Sequence, residues 1–328
     1  MKNILITGGA GFIGSHIIKR FVNNYPNYNI YNVDSLTYAG NLDNLKDVES
    51  KKNYFFFKID INNHTEILKL FKNKNITDVI HLAAESHVDK SIENSFKFAK
   101  TNVLGTLSLL EACKVSWDLS SKNNTFYHIS TDEVYGSLGL DGSFSEMSKY
   151  DPNSPYSASK ASSDHFVRAY YKTYGLQILI SNCSNNYGPF QHHEKLIPNI
   201  LNCLKNERKI PIYGDGKNIR DWLYVEDHCE AIELIFNKGI IGETYNIGGD
   251  YEISNLDLAK IIIKKFDEIK LNQIGSSNKL IEFVDDRLGH DFRYAIDYSK
   301  IKKGLGWSPK TPFDVGIKKT INWFMSKK

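Results

Sequence analysis

This chain predicts an α/β fold, a doubly wound parallel sheet joined to a second, smaller α/β lobe, on three observations. Short β-branched or aromatic runs alternate with helical spacings through the first half. A glycine-spaced turn, Gly8 to Gly14, links the first run to the first helical pattern. The 328 residues also exceed the roughly 250 to 300 at which a single core stops growing.

The strands are expected in order at Ile4–Thr7, Ile30–Asp34, Tyr54–Ile59, Val79–Leu82, Thr125–Ser130 and Gln177–Ser181. Each is brief and flanked by turn formers. Helical spacing fills the gaps, with Ile13, Ile17 and Phe21, then Phe98, Thr101 and Leu109 around Thr106, then Phe166, Ala169 and Tyr170 ahead of Gly175. Strict alternation of strand and helix implies parallel pairing through right-handed crossovers. After about Ser184 the rhythm shortens into turn-rich pieces such as Pro211 to Gly216. Trp222–Val225, a helix from about Asp227 and Tyr245–Gly248 read as a return that rejoins the first sheet. The expected division is a first lobe of 1–184, rejoined by about 222–249, and a discontinuous second lobe within 185–328. Ser254 and Asp257 have the spacing of a capping box, opening a helix that ends near Phe266.

Composition excludes several functions. Lys+Arg 41 against Asp+Glu 38 leaves +3, too weak a balance to require nucleic acid or an anionic membrane. Cys113, Cys183, Cys203 and Cys229 form no C-x-x-C pair and have no histidine at zinc spacing. They read as buried free thiols in a reducing compartment, and no metal site is expected. No run approaches the roughly 18 apolar residues of a membrane span, and the chain enters a strand at Asn3, so no signal peptide is expected and cytoplasm is the default.

Gly8-Gly9-Ala10-Gly11-Phe12-Ile13-Gly14 leaves the first strand and opens the first helix. In a Rossmann-type turn this lets backbone N–H groups approach a pyrophosphate, the bland alternative being a glycine turn with no ligand. Asp34 follows Gly14 by about 20 residues, where a carboxylate accepts from ribose hydroxyls and repels a 2′-phosphate, favouring NAD over NADP. As a mere turn cap it would carry no such preference. Asp60-Ile61 and Leu82-Ala83-Ala84 end the third and fourth strands, where adenine contacts and close backbone approach to a dinucleotide fall in such a fold.

Tyr156-Ser157-Ala158-Ser159-Lys160 sets a phenol and an ammonium on one helical face. Lys160 and a cationic nicotinamide then stabilise the phenolate, and lowering a phenol by three units needs about 4 kcal/mol. On an exposed helix the same spacing arises by chance. Ser130-Thr131-Asp132-Glu133 ends the fifth strand, at the edge where open α/β sheets bind ligands. Two adjacent carboxyls shielded from water are pushed apart in acidity, one serving as acid and one as base. In a solvated loop they would only cap helices.

These motifs together resemble the extended short-chain dehydrogenase superfamily, and within it the dTDP-glucose 4,6-dehydratases. The likeness runs through Asp34 to Asn41, Ala83 to Asp89, Ser130 to Gly136, Asn182 to Pro189, Glu194 to Pro198, Arg220 to Trp222 and Arg287 to Asp291. It implies a redox-neutral dehydration of a nucleotide-linked glucose by an NAD-dependent hydro-lyase. Tyr156 would take the C4 hydroxyl proton as hydride leaves C4, with Thr131 holding that hydroxyl and Lys160 tuning the phenol. Glu133 would remove the C5 proton while Asp132 protonates the departing C6 hydroxyl, before hydride returns to C6. The resemblance also assigns Ser35, Leu36, Thr37, Ser86, Thr101 and Asn186 to the cofactor, alongside Phe12, Ile13 and the glycines. It assigns Ser86, Asn185, Lys195, Leu196, Pro211, Tyr213, Arg220, Asn255, Arg287 and His290 to the sugar nucleotide, an arginine fork suiting a diphosphate. Leu288 and Phe292 depart from the proline and arginine usual in the family, leaving dTDP-glucose and UDP-glucose both open. The helices Thr101–Val115 and Tyr156–Tyr174 resemble those that pair in a homodimer, although their apolar stripes would equally pack on the sheet, and the downstream deoxysugar, rhamnose or another, is left open.

Two other readings remain. A nucleotide-sugar epimerase or decarboxylase reuses the tyrosine, lysine and glycine turn but does not need the Asp132–Glu133 pair. A non-catalytic NAD(H)-binding sensor or scaffold predicts a broken Tyr156 or Lys160, and both are intact.

Overall fold

The structure, a computed structural model, describes residues 1–327. The six expected strands are β1 (Asn3–Thr7), β2 (Asn29–Asp34), β3 (Tyr54–Lys58), β4 (Asp78–His81), β5 (Thr125–Thr131) and β6 (Ile178–Cys183). They are followed by β7 (Asn185–Tyr187), β8 (Ile210–Tyr213), β9 (Ile219–Tyr224), β10 (Thr244–Ile247), β11 (Glu252–Ser254) and β12 (Ile281–Val284). The main sheet has the order β10-β6-β5-β4-β1-β2-β3 and every pairing is parallel. A three-stranded sheet, β11-β9-β7, and a two-stranded sheet, β12-β8, belong to the second lobe.

Alternation along β1 shows how the sheet is buried. Ile4 and Ile6 point to the face covered by α1 (Phe12–Asn24) and α8 (Val225–Lys238), while Leu5 points to the face covered by α2 (His64–Lys74) and α5 (Gly105–Ser116). All three side chains are 0 % exposed, each contributing about 1.5–3 kcal/mol of apolar burial. Between α2 and α5 lie α3 (Val88–Glu93), α4 (Ser95–Phe98) and a π-helical turn, Ala99–Leu104. The remaining helices are α5 (Gly105–Ser116), α6 (Pro155–Tyr174), α7 (Leu196–Lys205), α8 (Val225–Lys238), α9 (Asn255–Lys270), α10 (Ser299–Leu305) and α11 (Phe313–Ser326). A separate core of Ile197, Ile212, Trp222, Leu258, Ile262 and Ile317 fills the second lobe.

Two expectations need correction. Trp222 to Tyr224 do not join the main sheet: they end β9, which pairs with β7 and β11, while Val225 opens α8. The return is made by β10 alone, beside β6. The helix opened by Ser254 ends at Lys270 rather than near Phe266. Asp267 is buried in its last turn and ties down the next loop, accepting from Gly275 N (2.9 Å) and Ser277 Oγ (2.6 Å). Ser254 does cap, its Oγ accepting from Asp257 N at 3.1 Å. All four cysteines are buried and free, and no helix among the described residues is long and apolar enough to cross a membrane.

Candidate active site

A cleft of about 470 Å³ runs along the carboxyl ends of the main-sheet strands. At one end lie Gly8, Gly11, Phe12, Ile13, Gly14, Asp34, Ser35 and Thr37, with Asp60 and Ile61 beside them. Leu82, Ala83, Ala84, Ser86 and Thr101 line its middle, and Thr131, Asp132, Glu133, Tyr156, Lys160, Asn185, Asn186 and Lys195 its far end. The sequence separates these groups by up to 187 residues, and the parallel sheet gathers them.

The glycine turn fits a dinucleotide. A Cβ on Gly14 would stand 2.1 Å from the Gly8 carbonyl oxygen, so helix and turn meet at a distance only glycine allows. Gly11 caps α1 with no side-chain hydrogen bond, leaving N–H groups of the first turn for an anion. Asp34 both caps a turn and lines the cleft: Oδ1 accepts from Leu36 N (2.8 Å) and Oδ2 from Ala10 N (3.0 Å). Burial pushes this carboxyl up and those two amides pull it back. Leu36 itself adopts φ 53° and does not line the cleft.

The reactive helix is set by its cap. Ser154 Oγ accepts from Ser157 N (3.1 Å), Ser157 Oγ accepts from Ser154 N (2.9 Å), and Pro155 occupies the first turn. Tyr156 therefore enters the cleft from the start of a fixed helix, opposite Thr131 at the end of β5. Burial raises the Tyr156 phenol well above its usual range, Glu133 raises it further, and a hydrogen bond with Thr131 opposes them. Lys160 is not among these causes. Its ammonium donates to the Ile129 carbonyl at 2.8 Å, and burial lowers its affinity for the proton.

Asp132 and Glu133 open a single 3-10 turn, Asp132–Tyr135, capped by Thr131. Their environments differ. Asp132 is 1 % exposed, its Oδ2 has no partner, and burial, then Glu133 and Asp221, push it well above the usual carboxylate range. Glu133 is also raised by burial, but Lys195 and Arg220 draw it down. The arrangement keeps a neutral acid next to a more readily ionised base.

The other residues expected to hold the sugar nucleotide fall outside this cleft. Pro211 and Tyr213 lie on β8, Arg220 on β9, Leu196 and Asn255 at the starts of α7 and α9, and Arg287 and His290 beyond β12. Arg287 forks onto Asp89 (2.5 and 2.9 Å), and Tyr213 hydroxyl lies 3.4 Å from the same carboxylate. His290 bonds Asp286 at 2.7 Å. Arg220 donates to the carbonyls of Ile219, Asp291 and Phe292 (2.7–3.2 Å). Lys195 joins the two regions, donating to Ser86 O at 2.6 Å while its charge reaches Glu133. Asn186 is held internally by His228 (2.8 Å) and Ser184 O (2.9 Å), whereas Asn185 Oδ1 is buried without a partner.

Sequence reasoning missed Glu85, Lys97, Lys100, Gln191, His192 and Glu194, which also line the cleft. Glu85 and Glu194 stand inside segments that carried the resemblance and were passed over. Lys97 and Lys100 look like solvated helix charges; the pairing with buried Glu85 (2.8 Å) marks out Lys97, and only its place in the cleft marks out Lys100.

The family described as GDP-mannose 4,6 dehydratase matches residues 5–320. A probable dTDP-glucose 4,6-dehydratase of Sinorhizobium fredii is 52% identical over 327 residues, covering 98% of this chain and 92% of that one. The dTDP-glucose 4,6-dehydratase of Escherichia coli is 48% identical, covering 99% and 94%. A dTDP-glucose 4,6-dehydratase from Streptomyces venezuelae, solved with NAD bound, superposes with a TM-score of 0.91 at 40% identity, covering 99% and 97%. The fold and cleft are those of the extended short-chain dehydrogenases, the superfamily of NAD-dependent epimerases and dehydratases. Within that superfamily the chain belongs to the dTDP-glucose 4,6-dehydratase family.

Proposed function

We propose that the chain carries out its family's reaction, the NAD-dependent 4,6-dehydration of dTDP-glucose to the 4-keto-6-deoxy sugar, as a hydro-lyase. The observation that carries this reading is a buried Asp132 carboxyl with one oxygen unpartnered, beside Glu133 and Tyr156 in the cleft that also contains the glycine turn. An epimerase has no use for that acid. The donor preference follows the relatives, which act on dTDP-glucose by name.

NAD, when bound along Gly8 to Gly14 and Asp34, supplies the hydride acceptor for C4 and later the hydride donor for C6. Tyr156 takes the proton of the C4 hydroxyl, held by Thr131, at its phenolic oxygen. Lys160, fixed on the Ile129 carbonyl, supplies the positive charge that favours the phenolate. With a ketone at C4 the C5 proton becomes acidic, and Glu133 removes it; a proton returns to C5 when hydride is added at C6. Asp132 gives its proton to the C6 hydroxyl, which leaves as water. Lys195 and Arg220 keep Glu133 ionised enough to act as base. Arg287, Tyr213 and His290 hold the nucleotide diphosphate, Arg287 exchanging Asp89 for phosphate oxygens.

We read 1–184 with about 225–249 as the cofactor lobe and the rest of 185–327 as the nucleotide lobe. A cytoplasmic homodimer completes the reading, supported by apolar side chains exposed on and between α4 and α6: Phe96 (87 %), Leu104 (56 %), Val115 (59 %) and Phe166 (38 %). The test is product analysis. Purified protein given dTDP-glucose should yield the 4-keto-6-deoxy sugar without net NADH, and deuterium placed at C4 should appear on C6. A C4 epimer, or no product, would overturn the reading.

A further inference from the structure

Tyr156, Lys160 and Asp164 are spaced four residues apart on α6 and so form one stripe along the helix. Asp164 is 0 % exposed, lies one turn beyond Lys160, and has no part in the mechanism above. Its Oδ2 accepts from Ser130 Oγ (2.9 Å) and Tyr150 hydroxyl (2.8 Å), and Tyr150 in turn accepts from Arg168 at 2.9 Å. Its Oδ1 stands 3.2 Å from His128 Nε2. The same ring nitrogen lies 3.4 Å from Lys160 Nζ, and both His128 and Asp164 are shut off from solvent.

One ring nitrogen cannot donate to the carboxylate and accept from the ammonium at once. His128 Nδ1 and Asp164 Oδ1 are both buried without a hydrogen-bond partner. Lys160 keeps the Ile129 carbonyl and faces His128 Nε2, so the ring stands between the ammonium and the Asp164 carboxylate. Burial and Lys160 lower His128 to about 4, so the imidazole is neutral near pH 7. The other titratable groups here are His81 from β4, Cys183 from β6, and Tyr135, Tyr150, Tyr156 and Arg168. Cys183 is kept protonated by burial. Asp164 alone of these holds a negative charge, its hydrogen bonds and positive neighbours keeping it below the usual range.

We propose that Asp164 is a positioning residue for the reaction: pinned by Ser130 and Tyr150, its carboxylate is the buried counterion that keeps Lys160 an ammonium on the helix face it shares with Tyr156. A buried ammonium without an anion sheds its proton, and a neutral Lys160 no longer favours the phenolate. The inference rests on the reading in which Lys160 assists Tyr156.

The test compares the holoenzyme with Asp164→Asn and Asp164→Glu. In Asp164→Asn the acid limb of kcat/KM for dTDP-glucose should move up by about one pH unit and the basic limb down, narrowing the profile. Asp164→Glu, which keeps the charge, should restore both limbs. A second readout is the tyrosinate absorbance of each protein against its Tyr156→Phe counterpart, which reports the Tyr156 titration without turnover. If Asp164→Asn does not fold, Tyr150→Phe removes one donor from Asp164 and should give a smaller shift in the same direction. Lower kcat with unmoved limbs and an unmoved Tyr156 titration would overturn the proposal. Failure of the unsubstituted protein to make the keto sugar would overturn the functional reading instead, and the absorbance titration would still decide the role of Asp164.

Discussion

Asp132 and Arg287 stand at two ends of one charged region, and the chain holds them by different means. Asp132 hangs from the end of a central strand, 1 % exposed, with one oxygen unpartnered. Arg287 lies beyond the edge of a two-stranded sheet, half-buried, its fork already on Asp89. Where the backbone is fixed by a seven-stranded sheet, acidity is tuned by withholding water and partners. Where the backbone is a loop, a standing ion pair keeps the side chain aimed. The first device costs stability and changes acidity; the second fixes a direction.

The largest effect should come at the sheet end. Tyr156→Phe should lower kcat roughly 10³-fold, within the range for loss of an acid or base group, while the absorbance of bound cofactor persists. Asp132→Asn should slow elimination roughly 10²-fold and C4 oxidation much less, seen as a keto sugar with its C6 hydroxyl intact in rapid-quench product analysis. The same substitution should raise the melting temperature at pH 7. The native state holds an Asp132 proton that the unfolded chain releases above its ordinary value of 3.8, so the native carboxyl loses stability as pH rises past that value. Asparagine removes the loss, and the gain should vanish near pH 3.

At the loop end, Arg287→Ala should raise KM about tenfold with kcat nearly unchanged. If it lowered kcat as far as Asp132→Asn does, the contrast between the two ends would fail. A gentler check concerns the core beneath the sheet end. His128 and His228 are lowered to about 4 and about 3 by burial, whereas unfolded histidine titrates at 6.5. The unfolded chain therefore binds more protons below pH 6.5, and stability should drain away as pH falls from there toward 4. Urea midpoints across that interval should decline, and His128→Gln should flatten part of the decline.

The same contrast explains what the sequence could tell. Gly8 to Gly14, Asp34, Asp132-Glu133 and Tyr156-Lys160 are legible because each depends on local spacing at a strand end or along one helix. Glu85 and Lys97 are not, since their meaning is a pair formed across a turn and a helix. Asp164 was within reach, being the next step of four after Tyr156 and Lys160, but a lone carboxyl on a helix reads as solvated until His128 is placed against it. The strand ending at Tyr224 looked like part of the main sheet because its apolar run suits either sheet. Its partners β7 and β11, the latter supplied by residues 252–254, decide the matter.

The strand order also bears on how the chain is made. The main sheet ends on β10, so the β6 edge stays uncovered until residue 247 has emerged, and α8 reaches back to α1, as in the pairing of Arg20 with Glu233. A growing polypeptide must therefore carry an open, apolar parallel edge from the completion of β6 until β10 is made, the condition in which strands add to strangers. Fragments that stop before β10 should aggregate, and production of the intact enzyme should respond to chaperone supply and slower synthesis at low temperature.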